Sequence, residues 1–245
     1  MAAEVITVPS FATPADGAEH FFGTRLSAVT VTPGRASAHE AGSQGHRATV
    51  ILSVKQVHGT DALVVDRPVE EGEQFEGGWD ALVTDQAGLM ITVRTADCVP
   101  VLLHDPKRRV VAAVHAGWRG AVAGILPKTV ALLVNRFGAR VKDLRMAIGP
   151  SAGLCCYEVD EPVLTRLRDV FSEWPSVVSP LDTGKAHLDL RAFVRRQAMA
   201  EGLEAERVAT VEACTICRPE VFYSYRREGV VKATMVSGIA LVPDR

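Results

Sequence analysis

Leu89-Met90-Ile91-Thr92-Val93-Arg94, Val99-Pro100-Val101-Leu102-Leu103-His104 and Val110-Val111-Ala112-Ala113-Val114 decide the fold. The three apolar runs are separated only by Thr95-Ala96-Asp97-Cys98 and by a turn opening on Asp105-Pro106. Each run is strand-sized, and the third is apolar without alternation, as in a strand buried on both faces. His115-Ala116-Gly117-Trp118-Arg119-Gly120 follows at once and turns the chain into a predicted helix over 121–137. Ile125, Val130, Leu133 and Val134 share one face of that helix. Pro127 predicts either a kink or its first turn, and Gly138 its stop.

Outward from this centre, strands are predicted over 48–54, 62–65, 80–84, 144–148, 207–211, 221–226 and 233–242. Phe21-Phe22 and Val29-Thr30-Val31 predict short strands nearer the start, and 70–78, acidic and glycine-rich, predicts a loop. Helices are expected from Asp160-Glu161-Pro162 to Phe171 and over 188–200, the latter with a basic face at Arg191, Arg195 and Arg196. Many strands and three helices without strict alternation point to a mixed α/β sandwich. No linker or repeat divides the chain, so residues 1–245 are expected to form one domain with a short N-terminal region, 1–46.

The 245 residues are 47% apolar and 23% charged, the balance of an ordinary soluble domain. A net charge of −2 gives no reason to expect a nucleic-acid partner. No apolar run is long enough to span a bilayer and no signal peptide opens the chain, so a cytoplasmic protein is expected. Five cysteines make an odd count. Cys155-Cys156 are neighbours, and Cys214 and Cys217 form a C-x-x-C that reads as a redox pair, half a zinc site or an accident of composition.

Three polar interruptions of apolar surroundings carry the chemistry: His58 in Lys55-Gln56-Val57-His58-Gly59, then Cys98, then His115. A thiolate and two imidazoles suit a three-ligand zinc site with an open position, or a Cys–His nucleophilic pair. A lone buried cysteine is most often structural, but Asp97 beside Cys98 would then also need burial and partners. At a strand-to-helix turn, Gly117 and Gly120 let a ligand approach backbone, and Arg119 adds a cation suited to phosphate or carboxylate.

These blocks resemble those of the YfiH/YlmD family, also called the multicopper polyphenol oxidase or laccase domain and peptidoglycan editing factor PgeF, with FAMIN among its members. Ala147-Ile148-Gly149-Pro150-Ser151, Cys155-Cys156-Tyr157-Glu158-Val159, His187-Leu188-Asp189-Leu190 and Phe222-Tyr223-Ser224-Tyr225-Arg226-Arg227 extend the resemblance in order. It implies a four-layer αββα sandwich of mixed sheets, similar to the catalytic domain of cytotoxic necrotizing factors. It also implies that His58, Cys98 and His115 are catalytic and bind zinc. The implied chemistry is phosphorolysis of adenosine, inosine, guanosine and methylthioadenosine, with deamination of adenosine.

For the phosphate such a reaction needs, Arg25 and Arg119 are the candidates by charge; Phe22 or Tyr223 could stack on a base, though core packing is their ordinary role. The sequence departs from the family where Leu26-Ser27-Ala28 follow Thr24-Arg25 and where Val230 to Thr234 stand; Cys214 fits it, and Cys217 looks incidental. Other readings are a peptidoglycan-precursor hydrolase with Cys98 as nucleophile and His115 as base, a copper-dependent polyphenol oxidase, and a non-catalytic protein braced by its metal. Copper sites for multielectron oxidation need more histidines than the seven present.

Overall fold

The computed structural model describes residues 4–38 and 49–243. The expected start of a β region at His46-Arg47, and Ala48 of the strand expected there, lie outside those residues. Among the described residues, two six-stranded sheets carry the fold. The first runs Val5–Ile6, Ala18–Gly23, Met235–Leu241, Leu89–Thr95, Val50–Ser53, Arg35–Ala38 from edge to edge. The second runs Val208–Thr210, Arg145–Ile148, Val99–Asp105, Val110–Ala116, Ala81–Thr84, Ala62–Val65. Both are mixed: Val50–Ser53 is parallel to Leu89–Thr95, Ala62–Val65 to Ala81–Thr84 and Arg145–Ile148 to Val208–Thr210, while the other pairings are antiparallel. A small third sheet joins Glu158–Val159, Ala186–Leu188 and Val178–Pro180.

The period of two along a strand sorts side chains between layers. Val111 and Ala113 face the first sheet, where they pack with Leu52, Ile91 and Ile239. Val110, Ala112 and Val114 face the other way, into a cluster with Ile125, Leu133, Leu164 and Phe193 from three helices. Strands buried on both sides need no polar alternation, which is why the 110–114 run has none. The mixed α/β class is as expected. Among the described residues, the helices Ile125–Phe137, Glu161–Val170 and Leu190–Ala200 cover the second sheet, whereas Val29 and Val31 cover Phe21, Ile51 and Met90 on the outer face of the first.

Several local expectations are corrected. Val29–Val31 is loop, and the edge strand lies further on, at Arg35–Ala38. Residues 221–226 do not form a strand. Phe222 is drawn into a small cluster with Ala213 and Met235, and the Ser224 hydroxyl accepts from Arg227 N at 3.1 Å to cap the helix Tyr225–Glu228. Burial and a cap thus override β propensity. The helix expected over 121–137 is two, Trp118–Val122 and Ile125–Phe137. The break is at Gly124, whose φ of 85° no helix admits, so Pro127 lies in the first turn of the second helix. Gly138, at φ 66°, ends it as expected. Arg191 leaves its basic face, because its guanidinium turns inward and donates to the carbonyls of Val211 and Ala213, each at 3.1 Å.

Candidate active site

The hairpin of Val99–Asp105 and Val110–Ala116 pairs Val99 with Ala116 and Pro100 with His115. Continuing that register sets Cys98 opposite Gly117. His115 has the same parity as Val111 and Ala113, so it points between the sheets, at the end of the sandwich. His58 comes from the segment that leaves Val50–Ser53 for the second sheet. Gln56 fastens that segment to the first sheet as a strand residue would: its side chain donates to Arg94 O and accepts from Arg94 N, both at 2.8 Å.

One nitrogen from each of His58 and His115 and the Cys98 sulfur lie within 4.8 Å of one another. His58 Nε2 is 3.8 Å from Cys98 Sγ, and the two imidazole rings meet edge to face with centroids 4.7 Å apart. A side chain on Gly117 would not fit: a Cβ there would fall 2.8 Å from His58 Cδ2 and 3.1 Å from Cys98 Sγ. At Gly120 it would fall 2.8 Å from the Gly59 carbonyl oxygen. The glycines of the 115–120 block therefore make room for the 55–59 block.

Asp80, which the sequence offers only as the start of a strand, organises the whole. Its carboxylate is fully buried. One oxygen accepts from His115 Nδ1 at 2.7 Å and from His58 N at 2.9 Å; the other accepts from Val57 N at 3.2 Å and Gly59 N at 2.6 Å. Three successive amides converging on an anion form a nest, and the left-handed backbone of His58, at φ 61°, shapes it. Binding at Nδ1 fixes the His115 ring and leaves Nε2 to face the thiol. Burial pushes the Asp80 pKa upward, but His115 and the amides of Gly59 and His58 outweigh it and hold the carboxyl below its usual value.

Charge in the triad is coupled. Burial would raise the Cys98 thiol, yet hydrogen bonding to His115 and then His58 brings it down to about 6. Burial would lower His115, yet Asp80 and Cys98 raise it to about 9. Asp97, the residue before the thiol, is held at φ 101°. Its carboxylate accepts from Thr215 Oγ1 at 2.6 Å, Ser224 Oγ at 3.0 Å and Arg226 N at 2.7 Å, tying two C-terminal loops to the Cys98 turn. Nothing in the sequence linked Asp97 to those residues, some 120 positions away.

His58 is exposed, Cys98 half-buried and His115 buried, so the triad opens at one side. It opens into a cleft of about 340 Å³ whose walls include Gln56, Arg94 and Tyr225. That volume is within the range of small-molecule sites, roughly 300–1,000 Å³. The donors fit zinc: two imidazole nitrogens and a thiolate at this separation can close to zinc distances of about 2.0–2.3 Å with a position left open. The predicted phosphate arginines are elsewhere. Arg119 is exposed and stacks on Trp118 at 4.4 Å; Arg25 donates to Pro219 O and lies over Tyr223; neither lines the cleft. Phe22 belongs to the core between the sheets. Arg94 does line the cleft, and its Nε is buried with no hydrogen-bond partner among the described residues. Its only prior signal was a charge in an apolar strand.

Residues 28–242 match the family described as "Multi-copper polyphenol oxidoreductase laccase". A relative from Bacteroides thetaiotaomicron named "Purine nucleoside phosphorylase" is 34% identical over 192 residues, covering 76% of this chain and 71% of that protein. "Adenosine deaminase RL5", from an unknown prokaryotic organism, is 38% identical over 195 residues, covering 77% and 74%. The crystal structure of YlmD from Geobacillus stearothermophilus superposes with a TM-score of 0.82 at 28% identity, over 99% of this chain and 98% of that one. The chain belongs to this laccase-domain family, alongside YlmD- and YfiH-type proteins.

Proposed function

We propose that this member of the laccase-domain family is a zinc-associated purine nucleoside phosphorylase acting on adenosine, inosine, guanosine and methylthioadenosine, with adenosine deaminase activity besides. The observation that carries the reading is the convergence of His58, Cys98 and His115 on one side of an open cleft, with Asp80 holding His115 from behind. The names of the relatives supply the substrate class. His58, Cys98 and His115 are the catalytic and zinc-holding residues, and the chain works as one domain.

Zinc, when bound, supplies a Lewis acid at the mouth of the cleft. The chain's own groups supply orientation and charge. Asp80 keeps His115 Nδ1 protonated and its Nε2 directed at the site. Arg94, with an unpaired Nε and no acidic partner among the described ion pairs, receives the phosphate, the role first given by charge to Arg25 and Arg119. In phosphorolysis the bond between ribose C1′ and the purine nitrogen breaks, a phosphate oxygen bonds to C1′, and the departing base takes up a proton. In deamination a water oxygen adds to the amino-bearing ring carbon and ammonia leaves.

The test incubates zinc-loaded protein with inosine and phosphate and follows hypoxanthine and ribose 1-phosphate together, then adenosine without phosphate, following inosine and ammonia. Hypoxanthine formation that depends on phosphate is expected; none at one zinc per active site would remove the reading. The lowered Cys98 thiol beside His115 favours one second reading, a Cys–His hydrolase of cell-wall precursors. That reading requires a covalent acyl adduct at Cys98 with such a substrate in metal-free protein.

A further inference from the structure

Away from the cleft, Cys155, Cys156, Cys214 and Cys217 bring their sulfurs within 4.8 Å of one another. We propose that these four cysteines form a second metal site, a structural Zn(Cys)4 centre that staples the 151–157 turn to the 213–217 turn. Cys217, which looked incidental in sequence, is its nearest-packed member: its sulfur lies 2.9 Å from that of Cys156 and 3.3 Å from that of Cys155.

The donor set is all thiol, and four thiolates on a tetrahedron with Zn–S of about 2.3 Å stand roughly 3.8 Å apart. The cluster brackets that spacing. Four sulfurs this close carry charge together only around a cation. Cys214, the buried member of the cluster, accepts from Gly153 N at 3.3 Å, as a metal-bound thiolate does from a neighbouring amide. Arg191 adds positive charge: a Cβ on Gly153 would meet Arg191 Nη2 at 3.2 Å, Cys214 Cβ at 3.2 Å and Cys155 Sγ at 3.4 Å, so all three crowd one glycine. Cys155 and Cys217 are exposed, which leaves the metal a way in.

The staple bears on the cleft. The two turns are joined by a bridge between Ser151 and Cys214, and both are bonded to Asp97, through Ala152 N to its carbonyl at 2.9 Å and Thr215 Oγ1 to its carboxylate at 2.6 Å. A metal among the four cysteines therefore braces the residue that positions Cys98, without touching the cleft.

The experiment measures zinc in full-length protein after zinc loading and desalting, with X-ray absorption at the zinc edge. His58→Ala/Cys98→Ala removes the cleft donors. That variant is expected to keep one zinc per chain, with four sulfur neighbours at about 2.3 Å and no nitrogen shell. Adding Cys155→Ser and Cys217→Ser is expected to remove it and to lower Tm. A His58→Ala/Cys98→Ala protein that holds no zinc, holds it through nitrogen or oxygen, or loses two hydrogens in mass to a disulfide within the cluster would overturn the proposal. If the cysteine variants fail to fold, the absorption spectrum of the first variant decides alone. The outcome is separable from the nucleoside reading: if only the cleft fails to bind metal, wild type carries one zinc and His58→Ala/Cys98→Ala leaves it in place.

Discussion

Replacing Asp80 by Asn tests the claim that one buried carboxylate assembles the candidate site. The side chain keeps its shape but becomes half donor. With its oxygen toward His115 Nδ1 and His58 N, its NH2 faces Val57 N and Gly59 N, donor against donor, at positions now 3.2 and 2.6 Å from an acceptor. Flipping the amide moves the clash to His115. Either way two hydrogen bonds to a charged acceptor are lost, at about 1.5 kcal/mol each or roughly 3 kcal/mol together. For a chain of this size about 2–4 °C accompanies each kcal/mol, so Tm should fall by roughly 6–12 °C. Losing the orienting partner of a metal-bound histidine should also weaken zinc binding by about 10–100-fold. Calorimetry and chelator competition read the two effects separately. The folded Asp80 pKa is depressed, so its stabilisation is present above the unfolded value and is lost as pH falls through the folded one. The Tm gap between wild type and variant should therefore narrow in acid. A variant that melts within a degree of wild type and holds zinc as tightly would refute the assignment.

The metal-free triad should hold a thiolate–imidazolium pair. Cys98 is depressed to about 6, so its contribution is complete above the unfolded thiol value and lost as pH falls through about 6. His115 is raised to about 9, so its contribution is complete below the unfolded imidazole value and lost as pH rises through about 9. Alkylation of Cys98 by iodoacetamide, followed by mass spectrometry, should show its acid-side inflection near 6; an inflection near the ordinary thiol value would contradict the geometry. Gly117→Ala places a methyl against His58 and Cys98, with an overpacking cost of about 1–3 kcal/mol. It should fold by circular dichroism yet bind zinc more weakly, and undiminished zinc affinity would count against the convergence. Arg94→Gln should raise the KM for phosphate by roughly 10–100-fold, the loss of a charge-assisted bond, with little change in Tm. An unchanged KM would move the phosphate site elsewhere.

Much of the second sheet was legible because burial on both faces writes itself into composition. The runs at 99–104 and 110–114 can be little else than central strands, and Gly138 and Asp160 mark helix boundaries through backbone geometry that few residues share. The errors fell where tertiary contacts outvote local preference: Val221-Phe222-Tyr223 is β-prone, but a buried Phe222 and a Ser224 cap make it a turn into a helix. Val29 and Val31 are β-branched, but they cover the outer face of a sheet without joining it.

By itself, the order of residues determined which side chains were chemically out of place: two histidines and a thiol, flanked by glycines that must stay small, in apolar or turn-forming surroundings. It could not determine what stands behind or beside them. Asp80 is 35 residues from the imidazole it orients, and Cys155 is 62 from the sulfur it meets. Pairings at such separations are made by sheet register and loop closure, which depend on the packing of the whole chain and leave no periodicity in any one segment. For the same reason Arg25 and Arg119 were indistinguishable from Arg94 by charge, and only the closed fold shows which arginine faces the cleft.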